Sequence, residues 1–209
     1  MKFPNAARGI KRIFNAEILG LISAALVVIM MIIMLTGLNA GSVSSGALAT
    51  SGSLLVVCAI LGIIGFVLNL MGITDAKKDE DSFRLALYAA LGGIAASLVS
   101  SFVTGNQMVT DILSVVKSIC ELMVTYYVLT GVISLSEKVG NSEVAALAAK
   151  ARTLVCAAFG LSTVLNLVMI FTNSNRATAA LFGVIAAVFT IVGYVYYLRV
   201  LAKAKDMLN

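Results

Sequence analysis

The polar residues with the most regular spacing lie in and just before one apolar run, Ile112–Leu135. Most of the intervals between them are three or four residues, which places them near one face of a helix. They are Asp111, Ser114, Lys117, Ser118, Glu121 and Thr125. Lys117 and Glu121 form an i, i+4 pair of opposite charge. At about 1.5 Å per residue, Glu121 lies ~16 Å along a helix that starts at Thr110, which is near mid-bilayer if the helix crosses a membrane.

This pair has two interpretations. A charge at the bilayer centre costs at least ~2.5–3.5 kcal/mol, so it should be paired or should face water. The pair could be a self-neutralising buried salt bridge that fixes helix packing, or it could line an aqueous cavity or ion path. Asn69 and Asn166, which lie inside two other apolar runs, could join either arrangement through hydrogen bonds between helices.

Other chemistry is excluded by composition. The sequence contains no His, so Ser–His and Cys–His nucleophiles, His-ligated metals and haem are ruled out. Cys58, Cys120 and Cys156 are isolated, each in a different apolar run, and are expected to be small packing residues. The charged loop Asp75–Asp81 is expected to cap the helix that follows it rather than to bind a cation. The sequence therefore predicts no enzyme, no metal site and no cofactor.

The elements that position these residues are six long apolar runs. Of the 209 residues, 60% are hydrophobic and 12% charged, and the mean hydropathy is +1.04. Each run is about long enough to cross a ~30 Å hydrocarbon core. The runs are Ile18–Leu38, Leu54–Ile73, Leu85–Val103, Ile112–Leu135, Thr153–Phe171 and Ala177–Leu201. We expect an all-α integral membrane protein with six transmembrane helices in one domain, residues 1–209.

Orientation follows from the basic residues. Of 15 Lys and Arg residues, only Arg176 falls in the predicted outer connections Asn39–Ser53, Thr104–Thr110 and Thr172–Arg176. The positive-inside rule then predicts a multi-pass protein of the cytoplasmic (inner) membrane with both termini in the cytoplasm. The net charge of +5 needs no nucleic-acid partner, because anionic lipid explains it. Residues 1–14 are basic and amphipathic, and are expected to lie on the cytoplasmic leaflet.

The odd-numbered spans share a signature, an Arg eight residues before a Gly. The glycines are Gly20, Gly92 and Gly160. The spacing predicts three tandem hairpins, at about 15–73, 84–136 and 150–202, in which the Arg anchors at the headgroups and the Gly allows close helix packing. Gly93 belongs to a small-residue face of the third span and is expected to pack in the same way.

Function can only be ranked from the sequence. The intramembrane charges favour a small-solute or ion transporter or channel component. The alternative is a non-catalytic membrane subunit or scaffold, which needs only packing faces and short loops. The expected partners are the lipid bilayer and either further copies of this chain or another membrane protein.

Overall fold

The computed structural model contains six α-helices and no strand within the described residues. The backbone is described for residues 2–39, 45–103, 107–172 and 176–208, and the side chains for residues 2–33, 52–103, 109–110, 112–161 and 188–208. The helices are α1 (Pro4–Asn39), α2 (Ser45–Ala76), α3 (Ser82–Phe102), α4 (Gln107–Val139), α5 (Ser142–Thr172) and α6 (Arg176–Leu208). The predicted all-α class is confirmed.

The helices are long because little in the sequence interrupts them. The only proline, Pro4, is the first residue of α1, where a missing N–H leaves no intrahelical bond unmade. Between α4 and α5 the chain turns at Gly140, whose φ of 83° favours glycine. Asn141 follows, and its Oδ1 accepts a hydrogen bond from the Val144 N–H at 3.1 Å, which caps the start of α5.

Five of the six helices are long and apolar enough to cross a membrane, as judged within the described residues. The qualifying segments are Pro4–Ile33, Gly52–Ala76, Ser82–Phe102, Ile112–Val139 and Ser142–Leu161. In α6, the side chains before Val188 lie outside the described residues, as do those of most of the predicted outer connections. α5 starts at Ser142, well before its predicted span, so the expected connection there is mostly helix.

The helices form a ring in chain order. Each helix contacts its neighbours in the sequence, and α1 also contacts α6, which closes the ring. The most extensive contacts join α1 with α2 and α3 with α4. The division into three repeated hairpins stays a prediction, because α4 packs on α5 as extensively as α5 packs on α6.

The fully buried side chains lie at one end of this ring, which we call the termini end because α1 begins and α6 finishes there. The core includes Ile10, Phe83, Leu129, Ala148 and Leu201, each from near the relevant end of its helix. Away from the termini end, the described apolar side chains are largely exposed. The bundle is therefore tightly packed at the termini end.

The N-terminal segment, predicted to lie as a helix on the membrane surface, has a different position in the structure. Residues 4–14 form the first turns of the continuous α1, and Ala6, Ile10 and Ile13 are buried in the core of the termini end. An amphipathic stripe shows only that one face avoids water. Here the apolar face packs on neighbouring helices.

The acidic loop (Asp75–Asp81) also differs from its predicted role as a cap for α3. Asp81, at the N-cap position, makes no side-chain capping bond. Asp79 instead accepts hydrogen bonds from the Ala6 N–H at 2.8 Å and the Asn5 amide at 3.0 Å, and so caps the start of α1. Asp75 forms an ion pair with Arg12 at 2.5 Å. The loop therefore fastens α1 rather than α3.

Glu80 links the same loop to α4. Its Oε2 accepts hydrogen bonds from the Ser134 hydroxyl at 2.9 Å and from the Lys138 ammonium at 2.5 Å. Burial, which leaves its side chain only 10% exposed, would by itself raise the pKa of Glu80. The hydrogen bonds and the charge of Lys138 outweigh it, so the pKa lies below its ordinary value. Ionised Glu80 thus stabilises the termini end.

Candidate functional site

The main chamber is a cavity of about 730 Å³ between α1, α2, α3 and α4. Its side facing the termini end is formed by Ile73 and Tyr197, which are 1% and 4% exposed. Apolar side chains such as Phe66, Leu70 and Ile94 form much of its wall. Its polar lining consists of Glu17, Asn69, Ser97, Lys117, Glu121 and Thr125. A volume of this size is within the range of small-molecule sites.

The predicted charged pair lies on the wall of the main chamber. Lys117 Nζ and Glu121 Oε1 are 3.8 Å apart, and their side chains are 52% and 66% exposed. The two charges are therefore within salt-bridge distance, yet too exposed to form a buried pair. Ion pairs with this exposure typically contribute about 0–1 kcal/mol to stability.

Glu17 on α1 is a second carboxylate on the main chamber that sequence reasoning did not identify. The Tyr194 hydroxyl of α6 donates a hydrogen bond to Glu17 Oε2 at 3.1 Å and to the Glu17 backbone carbonyl at 2.9 Å. Among the described residues no Lys or Arg lies within salt-bridge distance of Glu17. Glu17 therefore faces the chamber with a hydrogen-bond partner but without a counter-charge.

Asn69 on α2 adds an amide to the same wall. Its side-chain oxygen is buried, and it has no hydrogen-bond donor among the described residues. An unpaired buried carbonyl oxygen carries a desolvation cost of about 1–3 kcal/mol, which a donor group would relieve.

A second cavity of about 400 Å³ adjoins the main chamber, between α4, α5 and α6. It shares four lining residues with the main chamber, namely Glu17, Glu121, Thr125 and Tyr197. The two acidic side chains therefore lie where the cavities meet, at the centre of the helix ring.

The remaining predicted polar residues are distributed differently. Ser118 lines the second cavity, whereas Ser114 is exposed and lines neither cavity. The side chains of Asp111 and Asn166 lie outside the described residues. The polar face of α4 is thus divided between two cavities.

The glycines predicted to pack closely fall into two groups. A Cβ at Gly92 or Gly93 would lie 3.4 Å from Cys120 on α4, which is a close contact of α3 with α4. At Gly20 and Gly160, the described residues place nothing within 4 Å of such a Cβ. The close contact expected at these two is therefore not found among the described residues.

The tight glycine contacts occur at positions that the repeat did not single out. A Cβ at Gly9 would lie 2.4 Å from the carbonyl oxygen of Gly72, and one at Gly72 would lie 2.7 Å from that of Gly9. At Gly131 a Cβ would lie 2.5 Å from the ring of Phe83. These contacts bring α1 onto α2 and α3 onto α4 at the termini end.

The site offers two carboxylates, an ammonium group, an amide oxygen and aromatic side chains around an open, mostly apolar space. Such a set can bind a polar or charged solute. Comparison with protein-family models, with curated proteins and with solved structures found no match to this chain.

Proposed function

We propose that this chain is an integral membrane protein with six spans, both termini in the cytoplasm, and a central aqueous site for a small solute or ion. Lys117 and Glu121 carry the proposal, since both line the main chamber with more than half of each side chain exposed. Charges that exposed are tolerated at bilayer depth only where water reaches them. A packing role for the pair would require a buried, closely hydrogen-bonded geometry.

The direction of access follows from the position of the core. The packed residues close the termini end, which this proposal places on the cytoplasmic side. The chamber is then reached from outside the cell, and the protein acts as a transporter or channel component, the class favoured by its intramembrane charges.

A cysteine pair on α3 tests this function. In a variant with Cys58, Cys120 and Cys156 replaced by alanine, Ser97→Cys places a thiol on the chamber wall. Val99→Cys is the matched control, because Val99 is exposed, lines neither cavity and lies about 200° around the helix. A membrane-impermeant methanethiosulfonate added outside intact cells should label the first and spare the second.

The other results are equally informative. Protection of both thiols would contradict an aqueous chamber and would favour the alternative, a non-transporting subunit or scaffold. Labelling of both would show that α3 is not surrounded by lipid.

Orientation has its own test. Lys78 in the acidic loop is 56% exposed, so Lys78→Cys should react with the same reagent only after the membrane is made permeable. Reaction in intact cells would place the acidic loop outside and overturn the proposed topology.

A further inference from the structure

The main chamber holds two hydrogen-bond acceptors that the described residues leave incompletely matched. Glu17 has a hydrogen bond from Tyr194 but no cation within salt-bridge distance. The Asn69 oxygen has no donor. Both residues line the same chamber. A bound group that carries positive charge and several N–H donors would satisfy both.

The charge on the chamber wall points the same way. Besides Cys120 and Tyr197, the ionisable side chains that line the chamber are Glu17, Glu121 and Lys117. With all three ionised, the wall carries one excess negative charge. An anionic solute would have to approach two carboxylates with one ammonium as its partner. A cation near Glu17 meets an acid without a counter-charge and favours the charged form of that acid.

The apolar wall favours an organic cation over a metal ion as the ligand of the main chamber. Metal cations such as Ca²⁺ take six to eight oxygen ligands at short distances. Much of the chamber wall is instead hydrocarbon and aromatic, including Phe66, Leu70 and Ile94. An ammonium ion with an apolar body matches both parts, and aromatic faces also attract such cations.

We propose that the main chamber binds a small organic ammonium ion, with its charged group at Glu17 and Asn69 and its apolar body against the wall around Phe66. This assignment rests on the proposed function, because it requires an aqueous chamber. Lys117 then acts as the neutralising partner of Glu121 and leaves Glu17 for the ligand.

The first experiment compares reagents of opposite charge at Ser97→Cys in the cysteine-free chain, reconstituted in neutral lipid at low ionic strength. The trimethylammonium-ethyl and sulfonatoethyl methanethiosulfonates are used, and the ratio of their rates is normalised to that of a free thiol in solution. We expect the cationic reagent to react preferentially. If both reagents react and the normalised rate of the anionic reagent equals or exceeds that of the cationic one, the ammonium assignment is overturned but the aqueous chamber is supported. If neither reacts, the proposed function itself fails.

Variants that remove one charge test whether Glu17 and Lys117 determine this preference for the cationic reagent. Glu17→Gln keeps the size of the side chain and an acceptor for Tyr194, so the fold should be preserved. For charges about 8 Å apart at an effective dielectric constant of about 40, Coulomb's law gives a change of about fivefold in each rate, in opposite directions. The rate ratio should therefore fall about 25-fold in Glu17→Gln and rise in Lys117→Met. An unchanged ratio in both variants would show that these charges do not govern the chamber.

The second experiment measures binding directly with three probes of nearly equal size. Phenethylammonium should slow labelling of Ser97→Cys, whereas 3-phenylpropionate and 2-phenylethanol at the same concentration should not. Asn69→Leu should lose this protection while keeping the reagent ratio, because it removes an acceptor and no charge. Equal protection by sodium ion would indicate a metal-cation site, and equal protection by the three aromatic probes a purely apolar one. Either result would contradict the proposal.

Discussion

Replacing Gly9 with alanine tests the closest helix contact in the bundle. The new Cβ would lie 2.4 Å from the Gly72 carbonyl oxygen, and 2.8 Å from both the backbone nitrogen and the Cβ of Ala76. Carbon and oxygen atoms normally approach no closer than about 3.3 Å. Because two of the three atoms are backbone, α1 and α2 would have to separate by roughly 1 Å.

The cost can be worked from the side chains beside the contact. A gap of 0.5–1 Å forfeits a quarter to a half of the dispersion energy across it, and a buried aliphatic side chain makes some 40–60 contacts of about 0.1–0.2 kcal/mol. For the fully buried Ile10, Ile13 and Ile73, with about half of their contacts across the gap, the loss is about 3–6 kcal/mol. Alanine recovers up to ~1 kcal/mol of helix propensity. The net destabilisation should be about 2–5 kcal/mol, or roughly 4–20 °C in Tm.

Thermal unfolding in detergent, followed by circular dichroism, measures this difference. Gly62→Ala is the matched control, since the described residues place nothing within 4 Å of a Cβ there, and it should be neutral or slightly stabilising. If Gly9→Ala unfolds at the same temperature as Gly62→Ala, the α1–α2 contact does not have this geometry and the reasoning fails.

Three further predictions concern other contacts. Gly131→Ala should lower the free energy of unfolding by about 1–3 kcal/mol, because the new methyl group overpacks against Phe83. In thermal unfolding, adding Phe83→Leu to Gly131→Ala should restore part of this loss. If it restores none, the 2.5 Å contact is contradicted. Glu80→Gln should be less stable than the parent at pH 7, and this difference in stability should shrink as pH falls below 4.5. The reason is that a carboxylate with a lowered pKa contributes stability that is lost when it takes up a proton. A difference in stability that stays constant between pH 7 and 3 would refute the role of the Glu80 charge. Glu121→Gln should lower stability by no more than about 1 kcal/mol, since its ion pair is exposed; a loss of about 3–5 kcal/mol in the same unfolding assay would show a buried pair instead.

Sequence patterns predicted the helices and one wall of the chamber because both depend on local spacing. The intervals of three and four residues placed Lys117 and Glu121 together, and the structure shows them 3.8 Å apart. The contacts at Gly9 and Gly72 had no such signal. What a glycine contributes depends on which backbone crosses it, and the crossing partner here is 63 residues away in the sequence. The repeat identified Gly20 and Gly160 from local similarity, which carries no information about crossing partners.

Glu17 illustrates a second reason why sequence patterns can fail to identify a residue of the site. Hydropathy places the start of the first span at Ile18, so Glu17 falls just outside the predicted span. The helix begins at Pro4, which places Glu17 about 20 Å along α1. Its hydrogen-bond partner, Tyr194, is 177 residues away, so no local pattern could pair them. The useful signal was the continuity of the basic amphipathic segment with the apolar run, which predicts one long helix.

The charged residues of this bundle fall into two groups with different surroundings. At the termini end, Asp75, Asp79 and Glu80 all have direct partners on α1 or α4, and the packed core lies beside them. In the main chamber, the described residues give Glu17 no counter-charge, and the ion pair of Glu121 with Lys117 is exposed. Matched charges stabilise a closed end, whereas unmatched charges on an open cavity cost stability unless something binds there. That difference separates the residues that hold the helices together from those at which we propose that a ligand binds.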